Sequence, residues 1–358
     1  MFSAAITVTL LSAAGSLASP VACPKETSTC ASPSGNLTVS AFQLYPENAE
    51  FDAKRCVTYF SVLYNASVAV YDATKNEVSE IIEFPGLSGK PEFHSSGMRV
   101  RPDGQLATVV NAGAAFDTSG QDISGDNFLV TYDHDSKKVT SQVNLTAVSN
   151  GVYGGFQDLT FDTCGNTFVV GTYPGSIIKV SADGSKAVPW IVDRISNRTT
   201  AGYTGIVSRG NTLIASNGKD GGLYRFDATK AQGEPIAIPL AGNRTLGKDL
   251  DQVYMPAKYG GNTILVSDTS DGTVVVRSDD DWKSAKIVGT VANALQSQDG
   301  FSVATVQIAE RIYVVTEYFL DASNKVPGTN AGNRTEFPLR DITDEVDAML
   351  QKVPATRR

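Results

Sequence analysis

Imidazole is scarce in this chain: His94 and His134 are the only histidines among 358 residues. His134, in TYDHDSKK, reads as a solvated turn residue. His94, in EFHSSG, stands beside Ser95 and Ser96 and could serve as a base or as a hydrogen-bonding wall. Adjacency in sequence does not bring a serine Oγ onto an imidazole nitrogen, and the chain has no G-x-S-x-G elbow, so no nucleophilic triad is expected. The remaining candidate groups recur at a regular interval. Glu47, Ser96, Gln157, Thr204, Asp251 and Asp299 follow one another 47–49 residues apart, apart from one step of 61 between Ser96 and Gln157. If repeats bring these positions together, carboxylates, amides and hydroxyls converge on one cavity. Glu47, Asp251 and Asp299 could then hold a divalent cation, although calcium wants about six to eight oxygen ligands. Ser96, Gln157 and Thr204 stand where more carboxylate would be needed, and no metal is expected.

Cys23, Cys30, Cys56 and Cys164 lack C-x-x-C spacing and an accompanying histidine, which argues against zinc and against a catalytic thiol. Their even number suits disulfides and leaves the pairing open. The net charge of −8 and pI near 4.9 exclude a phosphate-binding face, hence no nucleic-acid partner.

The elements that must position these residues are short strands. Residues 154–184 read as three strands, at 158–161, 167–171 and 176–181, separated by turns rich in Gly, Asp and Asn. The same meander recurs from Pro46, His94, Thr204, Asp251 and Asp299, and removing roughly 14 residues at 112–126 (AGAAFDTSGQDISGD) restores a common period. Six such meanders predict an all-β, six-bladed β-propeller over 36–352, with an open pair of sandwiches as the alternative. Residues 36–44 (NLTVSAFQL) alternate like a strand and would close the ring in the last blade, because 317–340 contains little clear strand. A helix is expected only at 344–352.

In a propeller, blade starts and the loops between second and third strands share one mouth. Blade starts bring Glu47, His94, Ser96, Gln157, Tyr203, Asp251, Asp299 and Phe301 there. The loops add Tyr64, Asn111, Tyr173, Asn217, Glu317 and Tyr318, giving a polar-rimmed pocket with aromatic walls. The glycine-rich insertion at 112–126 suits a lid. Cys56 and Cys164 fall on the opposite face, where a disulfide would tie blades or hold the lead-in 19–35.

Residues 1–18 read as a secretory signal peptide, and no later apolar run is long enough to span a bilayer. Six N-x-S/T sequons, at Asn36, Asn65, Asn144, Asn197, Asn243 and Asn333, fit passage through the secretory pathway, to the outside or to a vesicle. Residues 353–358 form a short tail.

YNASVAVYD (64–72), EIIEFPG (80–86), HSSGMRVRPDG (94–104) and FDTCGNTFVVGTYPGSIIKVS (161–181) resemble the fungal propellers encoded in sesquiterpene gene clusters. That group includes the trichothecene-cluster core proteins and the hetero-Diels–Alderases of tropolonic sesquiterpene pathways. The resemblance implies a cofactor-free enzyme acting on a hydrophobic small molecule, joining a tropolone ortho-quinone methide to a humulene-type olefin. It carries no short catalytic motif, so roles follow from position. His94, Tyr64, Gln157, Tyr173 and Asn217 are expected to be the catalytic donors. Glu47, Ser96, Asn111, Tyr203, Asp251, Asp299, Phe301 and Tyr318 are expected to contact substrate. The rival readings are a metal-dependent lactonase-like hydrolase, prompted by the likeness of PENAEFD to the gluconolactonase opening, and a metabolite-binding protein without turnover.

Overall fold

The computed structural model describes residues 30–192 and 198–352. The proposed signal peptide, Cys23, Asn197 and the tail 353–358 lie outside the described residues. Each repeat folds into a four-stranded antiparallel sheet, and six sheets make the propeller. Blade 1 shows the local logic. Its inner strand Pro46–Asp52 is mostly buried, whereas its outermost strand Glu77–Glu83 alternates between exposed residues and half-buried or buried ones, Val78, Glu80 and Ile82. Aspartate closes the turns. Asp52 Oδ1 accepts from the backbone N–H groups of Lys54 and Arg55 at 2.9 and 3.0 Å, and Asp162 Oδ1 does the same for Cys164 and Asn166 at 2.9 Å each. These Asx turns explain why D-x-x segments punctuate the chain.

Blade 6 is built from both ends of the propeller. Leu37–Ser40 pairs antiparallel with Glu336–Asp341, which pairs with Arg311–Glu317. The closing strand expected within 36–44 is therefore present. The reading of 317–340 as nearly strandless is corrected at its end: EFPLRD is a strand whose central proline and mixed burial hide its alternation. The helix Thr343–Gln351 lies one residue from its expected place and buries Val346 beside Ile342. None of the helices among the described residues is long and apolar enough to cross a membrane.

Cys30 is bonded to Cys56, which ties the lead-in to the first turn of blade 1. Cys164 is exposed and outside any disulfide among the described residues.

The inner strands of neighbouring blades approach so closely that glycine is required. A Cβ on Gly205 would lie 2.2 Å from Val253 N and 2.6 Å from Asp251 O, both backbone atoms of the next blade. Gly97 meets the Gln157 carbonyl oxygen at 2.3 Å in the same way. Gly205→Ala is accordingly expected to destabilise the protein by about 1–3 kcal/mol or more through overpacking. The change is read as a lower guanidinium midpoint at unchanged m. An unchanged midpoint would show that the blades can spread without penalty.

Candidate functional site

All six inner strands shift register near the mouth, each against its second strand. The shifts fall at Pro46/Ala49, Ser95/Met98, Phe156/Asp158, Tyr203/Ile206, Leu250/Val253 and Ser302/Ala304. A bulge re-aims the residue it carries. Four bulges carry Glu47, Ser96, Gln157 and Asp251, and these side chains line a cavity of about 370 Å³ at the mouth. His94, Asn111 and Tyr64 join them, with Leu63, Phe116, Asp117, Phe319 and Ala322 completing the wall. The wall thus combines polar and acidic groups, Glu47, Asp117, Asp251, Ser96, Asn111, Gln157 and His94, with the apolar surfaces of Leu63, Tyr64, Phe116, Phe319 and Ala322.

Hydrogen bonds fix the polar side. Asn111 Nδ2 donates to Ser96 Oγ at 2.9 Å and to the Phe156 carbonyl at 3.0 Å. Thr172 Oγ1 donates to Gln157 Oε1 at 2.9 Å, and Gln157 Nε2 donates to Asp251 Oδ1. Glu47 is buried with Oε2 lacking any partner among the described residues. Burial first, then the nearby Asp251, Asp158 and Glu317, pushes the Glu47 carboxyl well above the usual range. Burial also lifts Asp251, to about 7, while the Gln157 hydrogen bond pulls it back. Asp251 therefore ionises first, and its charge keeps Glu47 protonated. Once the pH passes the range in which Asp251 ionises, the cavity holds one carboxylic acid able to donate and one carboxylate able to accept. Burial lowers His94, with Asp117 opposing, so its ring is neutral. The ring stands edge-on to Tyr64 at 5.3 Å, and the Gly113 backbone presses on it so closely that a Cβ there would lie 2.4 Å from Cε1.

The insertion at 112–126 supplies Phe116 and Asp117 to the wall, and Phe116 packs edge-on against Tyr173 at 5.9 Å. Its return is anchored by Asn127, whose Oδ1 accepts from Ala112 N at 3.0 Å. Leu63, Phe116, Asp117, Phe319 and Ala322 were not singled out from the sequence. Phe116 and Asp117 had a signal, their place in the odd-length repeat; the other three lie in short 3-10 helices, Leu63–Asn65 and Phe319–Asn324, too brief for a periodicity to read.

Six expected site residues are placed elsewhere. Tyr173 stands behind the wall, against Phe116. Asn217 closes a turn by accepting from Lys219 N at 3.0 Å. Tyr203 is core, packed on Phe226 at 5.6 Å and Tyr224 at 6.3 Å. Phe301 backs Phe319 at 5.3 Å, and Tyr318 is buried under the Arg334 guanidinium, 3.5 Å from its ring centroid. Asp299 is exposed in a left-handed turn before blade 6, whose bulge carries Val303 instead. Equal spacing located the strand starts but not the bulges that aim side chains. The trio Glu47, Asp251 and Asp299 is thus not assembled, and no group of three or more His, Cys, Asp or Glu suited to a metal occurs among the described residues. Of the sequon asparagines, Asn36, Asn243 and Asn333 are exposed, while Asn65 and Asn144 are half-buried.

Residues 27–299 match the model of a family described as Mal s 1 allergenic protein-like. The chain belongs to this family. It is 35% identical over 335 residues to trichothecene biosynthesis protein 14 of Trichoderma arundinaceum, covering 89% of this chain and 90% of that one. It is 33% identical to core trichothecene cluster protein 14 of Fusarium sporotrichioides, covering 89% and 87%. The crystal structure of the major Malassezia sympodialis allergen Mala s 1 superposes with a TM-score of 0.73 at 23% identity, covering 87% of this chain and 96% of that one. The trichothecene-cluster kinship read from the sequence is therefore shown.

Below the cavity, this Mal s 1-like propeller is plugged by a charged network. Arg99 of blade 2 reaches Asp158 of blade 3 at 3.4 Å and donates to the Val253 carbonyl of blade 5 at 3.1 Å. Asp158 accepts from Ile206 N of blade 4 at 3.0 Å. Asn48 of blade 1 accepts from Gln252 Nε2 at 2.9 Å, and Gln252 Oε1 accepts from Thr305 N of blade 6 at 2.8 Å. All six blades meet in this floor.

Proposed function

We propose that this chain catalyses a cofactor-free cyclisation in fungal terpenoid secondary metabolism, specifically a hetero-Diels–Alder reaction. In it a tropolone ortho-quinone methide meets a humulene-type olefin. Its kinship with trichothecene-cluster proteins supports a biosynthetic role. The observation that carries the reading is a single cavity whose wall joins the buried, unpartnered carboxyl of Glu47 to the apolar surfaces of Leu63, Phe116 and Phe319. The heterodiene supplies four π electrons and the olefin two. One C–C and one C–O bond form, and nothing is lost, so the protein need not relay a proton. Glu47 and Tyr64 donate hydrogen bonds to the tropolone oxygens and lower the diene's acceptor orbital. Leu63, Phe116 and Phe319 hold the hydrocarbon and keep water from the quinone methide.

The test uses purified, chelator-treated protein with a quinone-methide precursor and humulenol, followed by chiral chromatography against a protein-free control. A single enantiomer formed faster than background is expected. A product mixture identical to the control would overturn the catalytic reading and leave a binding protein or a hydrolase.

A further inference from the structure

The charged and phenolic groups that act on Asp251 are Glu47 of blade 1 and Asp158 and Tyr173 of blade 3, and His94 and Asp117 of blade 2 line the same cavity. Arg99, which lies in the floor below, pairs with Asp158 and donates to backbone carbonyls. What favours a charge on Asp251 is therefore hydrogen bonding, from Gln157 Nε2 and from the Gln252 backbone N–H. A glutamine amide can present either end, and only one end helps: Nε2 donates to a carboxylate, whereas Oε1 repels it. The choice is made outside the cavity. Thr172, nearly fully buried in the second strand of blade 3, points its hydroxyl at Gln157 Oε1 at 2.9 Å, with the Tyr203 carbonyl also in reach at 3.1 Å.

We propose that Thr172 is a positioning residue: by holding Gln157 Oε1 it turns Nε2 onto Asp251 and so sets the pH at which the cavity acquires a base. The chain runs Thr172 to Gln157 to Asp251 across two blades, with no break in donor and acceptor order. With a hydroxyl at 172, the amide has one satisfied orientation towards an ionised Asp251. With valine there, Oε1 is stranded in that orientation, and turning the amide over brings it against the carboxylate. Either way the ionised form loses support, and Asp251 should hold its proton to higher pH. The inference deepens the reading of this cavity and rests on Asp251 belonging to it, but its readout needs no turnover. A failed cycloaddition would leave it standing, and its own failure would leave the cycloaddition standing.

The test is the carboxyl ¹³C titration of Asp251 in protein labelled at aspartate, with Asp251→Asn fixing the assignment. Thr172→Val should raise the midpoint by about one pH unit, roughly tenfold in proton affinity, the worth of one charge-assisted hydrogen bond. Thr172→Ser, which keeps the hydroxyl, should stay within about 0.3 unit of the parent. In the unmutated protein the Gln157 side-chain amide should titrate with the same midpoint as Asp251, which requires no variant to fold. A Thr172→Val midpoint equal to the parent's, a Thr172→Ser shift as large as that of valine, or a Gln157 amide blind to Asp251 would each overturn the proposal.

Discussion

Arg99→Met is expected to cost about 3–5 kcal/mol, the loss incurred when one partner of a buried ion pair is removed and the other left. The guanidinium touches Asp158, which is fully buried, donates to the carbonyls of Met98 and Val253 and to the amide oxygen of Asn48, and stands 5.8 Å from the Tyr254 ring centroid. Burial opposes its charge, but Asp158 and Glu50 outweigh burial and hold its pKa above the ordinary value. Methionine fills much of the space and satisfies none of these groups. Asp158 and Glu50, the second already lifted to about 7 by burial, would have to bind protons or remain charged without a counter-ion. The sign of the pH dependence follows. Carboxyls whose folded pKa exceeds the unfolded value bind more protons when folded, so their contribution is present at low pH and lost as pH rises. The deficit of Arg99→Met should therefore be widest near pH 8 and shrink towards pH 5. Adding Asp158→Asn should recover part of it, since the amide leaves no charge behind. Guanidinium unfolding at both pH values measures all of this. A deficit below about 1 kcal/mol, or one independent of pH, would mean that the floor is held by packing and not by this pair.

The propeller was legible because its physics is repetitive. Each hairpin needs an Asx or glycine turn, and each blade needs alternation in its outer strands, so a period of 47–49 residues shows in the sequence. The closing strand at Leu37–Ser40 was legible for a related reason, as an alternating segment with no neighbour to pair with. Strand Glu336–Asp341 was not, because Pro338 and Arg340 break its pattern. The cavity was half legible. Glu47, Ser96, Gln157 and Asp251 occupy matching places in successive repeats and do line it. Asp299 seemed to match them and does not, since a bulge depends on where the second strand pairs, a non-local fact that spacing alone does not encode. Tyr203 and Asn217 were misplaced for the same reason: opposite each other in blade 4, one turns into the core and the other caps a turn.

Glu47→Leu is expected to lower the rate of the cyclisation over background by about 10²–10³, the usual loss when one preorganised donor is removed from a water-poor site. Glu47→Gln should lose much less. The Glu47 carboxyl is buried, Oε2 has no partner among the described residues, and its neighbours Asp251, Asp158 and Glu317 are acids that disfavour a second charge. It therefore acts as a neutral donor, and a glutamine amide is also a neutral donor of nearly the same shape. The two differ in one respect. The acid loses its proton as pH rises past its elevated pKa, so the parent's rate should fall along an alkaline limb, whereas the amide has nothing to lose and its limb should vanish. Leucine keeps the volume and gives up the donor, so the product should form slowly and with eroded enantiomeric excess at every pH. Initial rates corrected for background and product ratios from pH 5 to 9.5 separate the three proteins. If Glu47→Gln kept the parent's alkaline limb, the titrating group would lie elsewhere, with Glu317 next in line. If Glu47→Leu kept the parent's rate, hydrogen-bond donation from this residue would play no part, and catalysis would rest on the apolar wall alone.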